Sequence, residues 1–380
     1  MARIGIDARF YGAIGKGLGR YTQKLIENLE KIDSENQYFV FLRRENFDEY
    51  QAKNSNFHKV LADYRWYTIS EQLNMPWLLK KYKLDLVHFP HFNVPLLYRQ
   101  KFIITIHDLI LLHFPTIRGT TLNPLFYWLK FIAYKIVIKS AIKGAQKIIA
   151  VSNFTKSDIL KNYKVSDSKI EVTYEASDDF CRIPNQEYKE ILKNHGLISK
   201  KHGIIEKYIL YVGNAYPHKN LEALVLAFSE IKEEDLKLVL VGKEDYFYRK
   251  LKKIVRDKQY RNIIFTSFVL DRELNVIYQC ARLYVFPSLY EGFGLPPLEA
   301  MACGVPVISS DHPCLKETLG KSAYYFDARN KEEIAGAIKK LLEDEDLRKR
   351  LVQLGYEQVK KYSWKKMAEE TLNVYKKLIY

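Results

Sequence analysis

Residues 286–308 read FPSLYEGFGLPPLEAMACGVPVI. One apolar run, "RLYVFPS", leads into this stretch, and a second, "VPVISS", leads out. Between them, glycines and prolines surround two glutamates, Glu291 and Glu299. "LPPLEAMACG" has prolines where a helix should start and Gly304 where it should stop. The order is therefore strand, glycine-rich turn, short helix, strand. Glu291 falls in the loop at the strand's carboxyl end, and Glu299 on the first or second helical turn. The amides of Gly294 and Leu295 lie at the positive end of that helix, which suits an anion. A loop carboxylate beside this end can accept hydrogen bonds from polyol hydroxyls. Spacing alone leaves a plainer reading open, in which Glu299 complements the helix dipole and Glu291 is solvated.

The same alternation extends in both directions. "RIGIDA", "QYFVFLRR", "LDLVHFP", "KFIITIHD" and "QKIIAVS" read as strands in the N-terminal half. "KYILYVGN", "LKLVLVGK", "NIIFTSFV", "RLYVFPS", "VPVISS" and "SAYYFD" do so in the C-terminal half. Strands alternating with helical stretches predict parallel sheets covered on both faces. The pattern lapses around 177–207, where "SDDFCRIPNQEYKEILKNHGLISKKHG" reads as a linker with one short helix. The expectation is an α/β chain of two doubly wound domains. An N-terminal domain spans 1–180, a linker 181–206, and a C-terminal domain 207–362. Their strand ends should face each other across a cleft, where such sheets bind ligands. A last helix over 363–380 starts at a good N-cap, Ser363, and is expected to pack back on the N-terminal domain.

The 380 residues suit two cores. Apolar residues make up 47% and charged residues 28%, which excludes a disordered chain. Sixty basic residues against 45 acids give a net charge of +15. A basic chain suits nucleic acid, an anionic membrane surface or phosphate-bearing substrates. Cys181, Cys280, Cys303 and Cys314 are scattered without a CxxC pair, which argues against zinc or a disulfide framework and for a reducing compartment. "MARIGIDARF" has no signal-peptide core, and no apolar run reaches the roughly 18 residues of a spanning helix. A cytoplasmic location is expected.

From Phe286 to Pro306 the sequence resembles the signature of glycosyltransferase family 4, retaining enzymes of the GT-B fold. The resemblance implies two Rossmann-like domains and a nucleotide diphosphate sugar as co-substrate, with no cofactor and no metal. By that likeness Glu291 contacts donor-sugar hydroxyls and Glu299 holds the ribose. The backbone of Phe293, Gly294 and Leu295 then lies by sugar and phosphates. "YVGNAYPHKN" is similar to the family's phosphate clamp: Lys219 matches its lysine, whereas Asn214 stands where the family usually has arginine. "GKGLGRY" follows the first strand, and its Gly17 and Gly19 match the loop that approaches the donor diphosphate. "HDL" places His107 against the donor sugar, with Asp108 as its orienting partner. "VSNFTKSDI" makes Ser152 a helix cap first and an acceptor-side residue second. Ser267, in the base-contacting "TSFVL", replaces a usual glycine.

The implied chemistry is hexose transfer to a glycan or lipid-linked acceptor hydroxyl in surface polysaccharide or glycolipid synthesis. Glu291, Lys219 and His107 are the catalytic candidates, and GDP-mannose precedes a UDP-hexose as donor. Two other readings compete: a sugar-nucleotide epimerase of the same fold, and a basic nucleic-acid-binding protein, which no recognition motif supports. No acid occurs from 109 to 157, while Arg118 and six lysines do. Within this stretch, residues 125–143 read as a helix carrying Trp128, Ile132, Lys135, Lys139 and Lys143 along one stripe, and 125–147 as the candidate membrane-contacting segment. That suits peripheral contact with an anionic membrane, although an ordinary sheet-packing helix would read similarly.

Overall fold

The computed structural model describes residues 1–115, 124–177, 181, 207–266 and 269–380. Ser267, Arg118 and the expected linker, apart from Cys181, lie outside the described residues.

Two sheets organise the chain, and every strand pair in them is parallel. The first holds β1 (Arg3–Asp7), β2 (Gln37–Leu42), β3 (Phe57–Leu61), β4 (Leu86–Phe89), β5 (Phe102–Ile106), β6 (Lys147–Ala150) and β7 (Ile170–Val172), in the order β3-β2-β1-β4-β5-β6-β7. Its register sets Ile4 beside both Tyr38 and Leu86. Strands β4 and β5 are buried at every position, as expected of a parallel sheet covered on both faces. The helices are α1 (Lys16–Ile32), α2 (Ile69–Lys81), α3 (Ile110–His113), α4 (Pro124–Gly144) and α5 (Asn153–Asn162). The connections from β3 to β4, β5 to β6 and β6 to β7 advance the same way across the sheet. Right-handed crossovers therefore place α2, α4 and α5 on one face, and α1, whose connection runs the other way, on the opposite face.

The second sheet holds β8 (Tyr208–Val212), β9 (Lys237–Val241), β10 (Ile263–Thr266), β11 (Leu283–Phe286), β12 (Val307–Ser310) and β13 (Ala323–Phe326), in the order β10-β9-β8-β11-β12-β13. Around it run α6 (Leu221–Ser229), α7 (Tyr246–Asp257), α8 (Asp271–Gln279), α9 (Leu295–Ala302), α10 (Pro313–Leu319), α11 (Lys331–Glu343) and α12 (Glu345–Val359). The strand order reverses between β1 and β4 in one sheet and between β8 and β11 in the other. Such switch points open a crevice at the carboxyl ends of the strands.

The chain divides into two compact units. One comprises Met1–Leu109, Leu122–Glu175 and Ser363–Tyr380; the other comprises Ile110–Thr121 and Ala176–Tyr362. The last helix, α13 (Trp364–Ile379), is capped by Ser363 and packs on α1. Tyr375, fully buried, meets His88 of β4 through its hydroxyl at 2.6 Å, and Tyr380 donates to Asn36 at 2.9 Å.

Three features lie beyond the sequence expectations. Strands β3 and β7 sit at the two edges of the first sheet, where half-buried positions and a three-residue length leave little pattern. Cys181 and Cys303 are joined in a disulfide with Cα atoms 5.1 Å apart, which corrects the expectation of unpaired cysteines. They lie 122 residues apart, so only the fold brings them within bridging distance. Lys219 ends a short 3-10 turn, Pro217–Lys219, and Asn220 separates it from α6 in a left-handed conformation (φ +60°).

Candidate functional site

The second unit assembles its polar cluster where β8 and β11 end. The loop after β8 carries Lys219, and the loop after β11 carries Glu291. The Lys219 ammonium donates to Glu291 Oε1 at 2.5 Å and lies 5.3 Å from the Phe286 ring centroid. Both side chains are largely buried. The two loops are tied directly, since the Leu289 amide donates to the His218 carbonyl at 2.7 Å.

Past Glu291 the chain turns at Gly294 (φ +93°), which caps α9, and Pro296 and Pro297 follow in the first turn. A side chain at Gly294 would collide with Leu315, so both the left-handed backbone and the close approach require glycine. No side chain caps α9, and because Pro296 and Pro297 lack an N–H, the Leu295 amide is the one its first three residues offer at the positive helix end. Glu299 sits one turn further on and is 7% exposed. Tyr278 of α8 donates to its Oε2 at 3.2 Å. Burial first, then Tyr284 and Glu299, hold the Tyr278 phenol well above its ordinary range, so it stays a neutral donor.

Asn214 follows Gly213 at the end of β8. Its Oδ1 accepts from the Tyr216 amide at 3.2 Å, and its carbonyl accepts from the buried Tyr211 hydroxyl at 2.8 Å. The side chain thus shapes its own turn. His218 is buried and is pushed down to about 4 by burial and then by Lys219, so it is neutral. The short α3 segment supplies a lid of rings: His113 stacks on Tyr290 at 4.8 Å, and Phe114 lies 6.1 Å from His218. A cavity of about 490 Å³ adjoins the Lys219 turn, lined in part by Tyr216, Pro217, Asn220, Tyr246 and Phe247.

The first unit presents its own set at the ends of β1, β5 and β6. Gly17 in the first turn of α1 is exposed, with open space where a side chain would stand. Gly19 is buried against the Gly12 and Phe10 carbonyls, so packing alone accounts for it. His107, just beyond β5, uses both ring nitrogens. Nδ1 meets Glu175 Oε1 at 2.8 Å, and Nε2 meets the Pro90 carbonyl at 3.0 Å. A carbonyl and an ionised carboxylate both accept, so this pair of partners favours the imidazolium, in which both nitrogens donate. Burial opposes that charge, yet the hydrogen bond and charge of Glu175 outweigh it and raise the His107 pKa. The orienting carboxylate is therefore Glu175; Asp108 acts on the ring through charge alone, which corrects the expected pairing. Ser152 caps α5, accepting from the Thr155 amide at 3.0 Å. Its side chain is fully buried and offers an acceptor no surface.

Two family models cover most of this architecture. Residues 15–178 match Glycosyltransferase Family 4, and residues 196–358 match Glycosyl transferases group 1. O-antigen chain mannosyltransferase RfbU of Salmonella typhimurium is 30% identical over 281 residues, covering 73% of this chain and 70% of its own. The chain belongs to glycosyltransferase family 4. O-antigen chain mannosyltransferase B of Escherichia coli is 28% identical over 385 residues, covering 95% of this chain and 96% of the relative. Among solved structures, Anabaena HepE in complex with UDP and glucose aligns with a TM-score of 0.75 at 13% identity, over 99% of this chain and 100% of HepE. The two parallel-sheet α/β units have the GT-B fold.

Several supports of this family 4 glycosyltransferase carry no sequence signal. Glu175 lies 68 residues from the histidine it holds. Arg9, fully buried, pairs with Asp7 at 2.7 Å and Glu71 at 2.6 Å, which joins the loop after β1 to α2. Asn93 and the Tyr67 amide complete the partners of Glu71, each at 2.7 Å. Tyr278 was equally hidden, since a tyrosine within a helical pattern reads as core.

Proposed function

We propose that this glycosyltransferase is a retaining, metal-independent hexosyltransferase. It moves mannose from GDP-mannose to a hydroxyl of a glycan or lipid-linked acceptor in surface polysaccharide synthesis at the cytoplasmic face of the cell. The observation that carries this reading is the convergence of Lys219 and Glu291 at the switch point of the second sheet, beside the uncapped start of α9. The two O-antigen mannosyltransferase relatives support the choice of sugar.

On this reading Lys219 neutralises the leaving diphosphate, and the amides of Phe293, Gly294 and Leu295 share that charge. Glu291 exchanges its lysine partner for donor-sugar hydroxyls. Glu299, steadied by Tyr278, grips the ribose. Asn214 lends the diphosphate a neutral contact in place of a second cation. His107, with both ring nitrogens committed to hydrogen bonds, does not serve as a general base. In the reaction the bond between the anomeric carbon and the leaving phosphate oxygen breaks. The acceptor oxygen bonds the same carbon on the same face, and the leaving phosphate takes the acceptor's proton.

A UDP-hexose donor is the second reading, supported by the HepE structure with UDP and glucose. Incubation with GDP-mannose or UDP-glucose and a mannose-terminated lipid-linked acceptor tests both, with NMR of the product. An α-linked mannoside formed equally well in EDTA supports the proposal. A β-linked product, a need for divalent metal, or epimerised donor without transfer would overturn it.

A further inference from the structure

We infer that one face of the first unit, built by α2 and α4, docks on an anionic lipid bilayer. The two helices lie on the same side of the same sheet, since their crossovers advance in one direction. On α2, Ile69, Leu73 and Trp77 recur at intervals of four, and Ile69 and Trp77 are 79% and 75% exposed. A helix of a doubly wound domain normally turns such a stripe toward its sheet. Here Glu71, Met75 and Leu79 occupy the buried side, so the exposed stripe is additional to the core. Lys80 and Lys81 end the helix, and the Lys80 ammonium lies 5.9 Å from the Trp77 ring centroid.

The same arrangement recurs on α4. Trp128, Ile132 and Ile136 follow the same spacing, with Leu129 beside them, and all four are exposed. Ile138, Ala141 and Ile142 are buried. Exposed Lys135, Lys139 and Lys143 flank the stripe toward the helix C-terminus. Ring contacts join the two helices through the loop after β4: Tyr67 to His91, His91 to Phe92, and Phe92 to Tyr134, at 6.2, 3.9 and 5.1 Å. The two helices are thus neighbours on that side of the sheet.

Charge and chemistry select the occupant. The one carboxylate of α2, Glu71, is buried with Arg9, and α4 has none. A bilayer interface receives tryptophan rings at headgroup depth and lets lysine stems lie along apolar surface with their charges outward. The lysines match the negative potential of an anionic leaflet. Among the described residues no helix is long and apolar enough to cross a membrane, so these helices lie on the surface. The inference stands apart from the donor chemistry.

Co-sedimentation of the full chain with vesicles of phosphatidylcholine alone, or mixed with phosphatidylglycerol, tests it. The chain should pellet with the anionic vesicles and be released by salt. Trp77→Ser with Trp128→Ser should lower vesicle affinity about tenfold or more. Lys80→Gln with Lys81→Gln should lower it about fivefold per lysine. All four positions are exposed, so each variant should keep the wild-type thermal midpoint and nucleotide response. Equal pelleting with neutral vesicles, or wild-type affinity in the tryptophan variant, would overturn the inference. So would a wild-type dimer in sedimentation velocity that the tryptophan substitutions dissociate, since a second copy would then cover this face.

Discussion

The Lys219–Glu291 pair is a resting arrangement of two groups whose proposed partners arrive with the donor. Each faces the other's charge in a largely buried setting, and on the proposed reading a phosphate and a sugar replace those contacts. Lys219→Met and Glu291→Gln should each reduce transfer by about 100-fold or more, as when one preorganised donor or acceptor is lost from such a site. Initial rates at saturating acceptor measure this. Tyr278→Phe should raise the donor KM about tenfold and leave kcat nearly unchanged, because on the proposed reading the phenol steadies Glu299 as the ribose grip and touches no reacting atom. The His107–Glu175 pair sets a pH dependence. The folded-state pKa of His107 is raised above its ordinary 6.5, so its stabilisation is complete below that value and is lost as pH rises through the raised one. Thermal midpoints recorded from pH 6 upward should fall, and Glu175→Gln should remove that part of the decline. The two glutamates and Lys219 were legible because each stands in a short motif. Glu175 was not, because its pairing is made only in three dimensions.

Elements were legible wherever burial on both faces writes a continuous apolar run. The eleven strands read from sequence all form, and the two that were missed are edge strands. The short helix after β11 was legible through its punctuation, prolines at one end and Gly304 (φ +73°) at the other. Sequence gave no hint that the loop after β1 is held by a buried ion triad. Arg9 there is fully buried between Asp7 and Glu71. Removing it by Arg9→Met leaves two buried carboxylates uncompensated and should cost about 3–5 kcal/mol. Urea unfolding followed by circular dichroism reads this directly. Adding Asp7→Asn and Glu71→Gln should restore much of the loss, whereas additive losses would show that the triad is not one unit.

For the molecule as a whole, sequence alternation foretold two doubly wound domains, and the family match confirms a GT-B glycosyltransferase. Contacts between distant segments were beyond its reach. The disulfide between Cys181 and Cys303, and the seating of His113 and Phe114 on the β8 and β11 loops, depend on chain paths that local pattern does not encode. The same holds for the exposed stripe of α2, since periodicity cannot say which of two apolar faces meets the sheet. The proposed function assigns the second unit the task of holding a nucleotide diphosphate sugar. Thermal unfolding with GDP-mannose, UDP-glucose, ADP-glucose and the free nucleotides puts this to the test. The account predicts that GDP-mannose raises the wild-type midpoint by several degrees and has little effect on Lys219→Met or Glu291→Gln. No stabilisation by any nucleotide sugar, or equal stabilisation of the two variants, would contradict it.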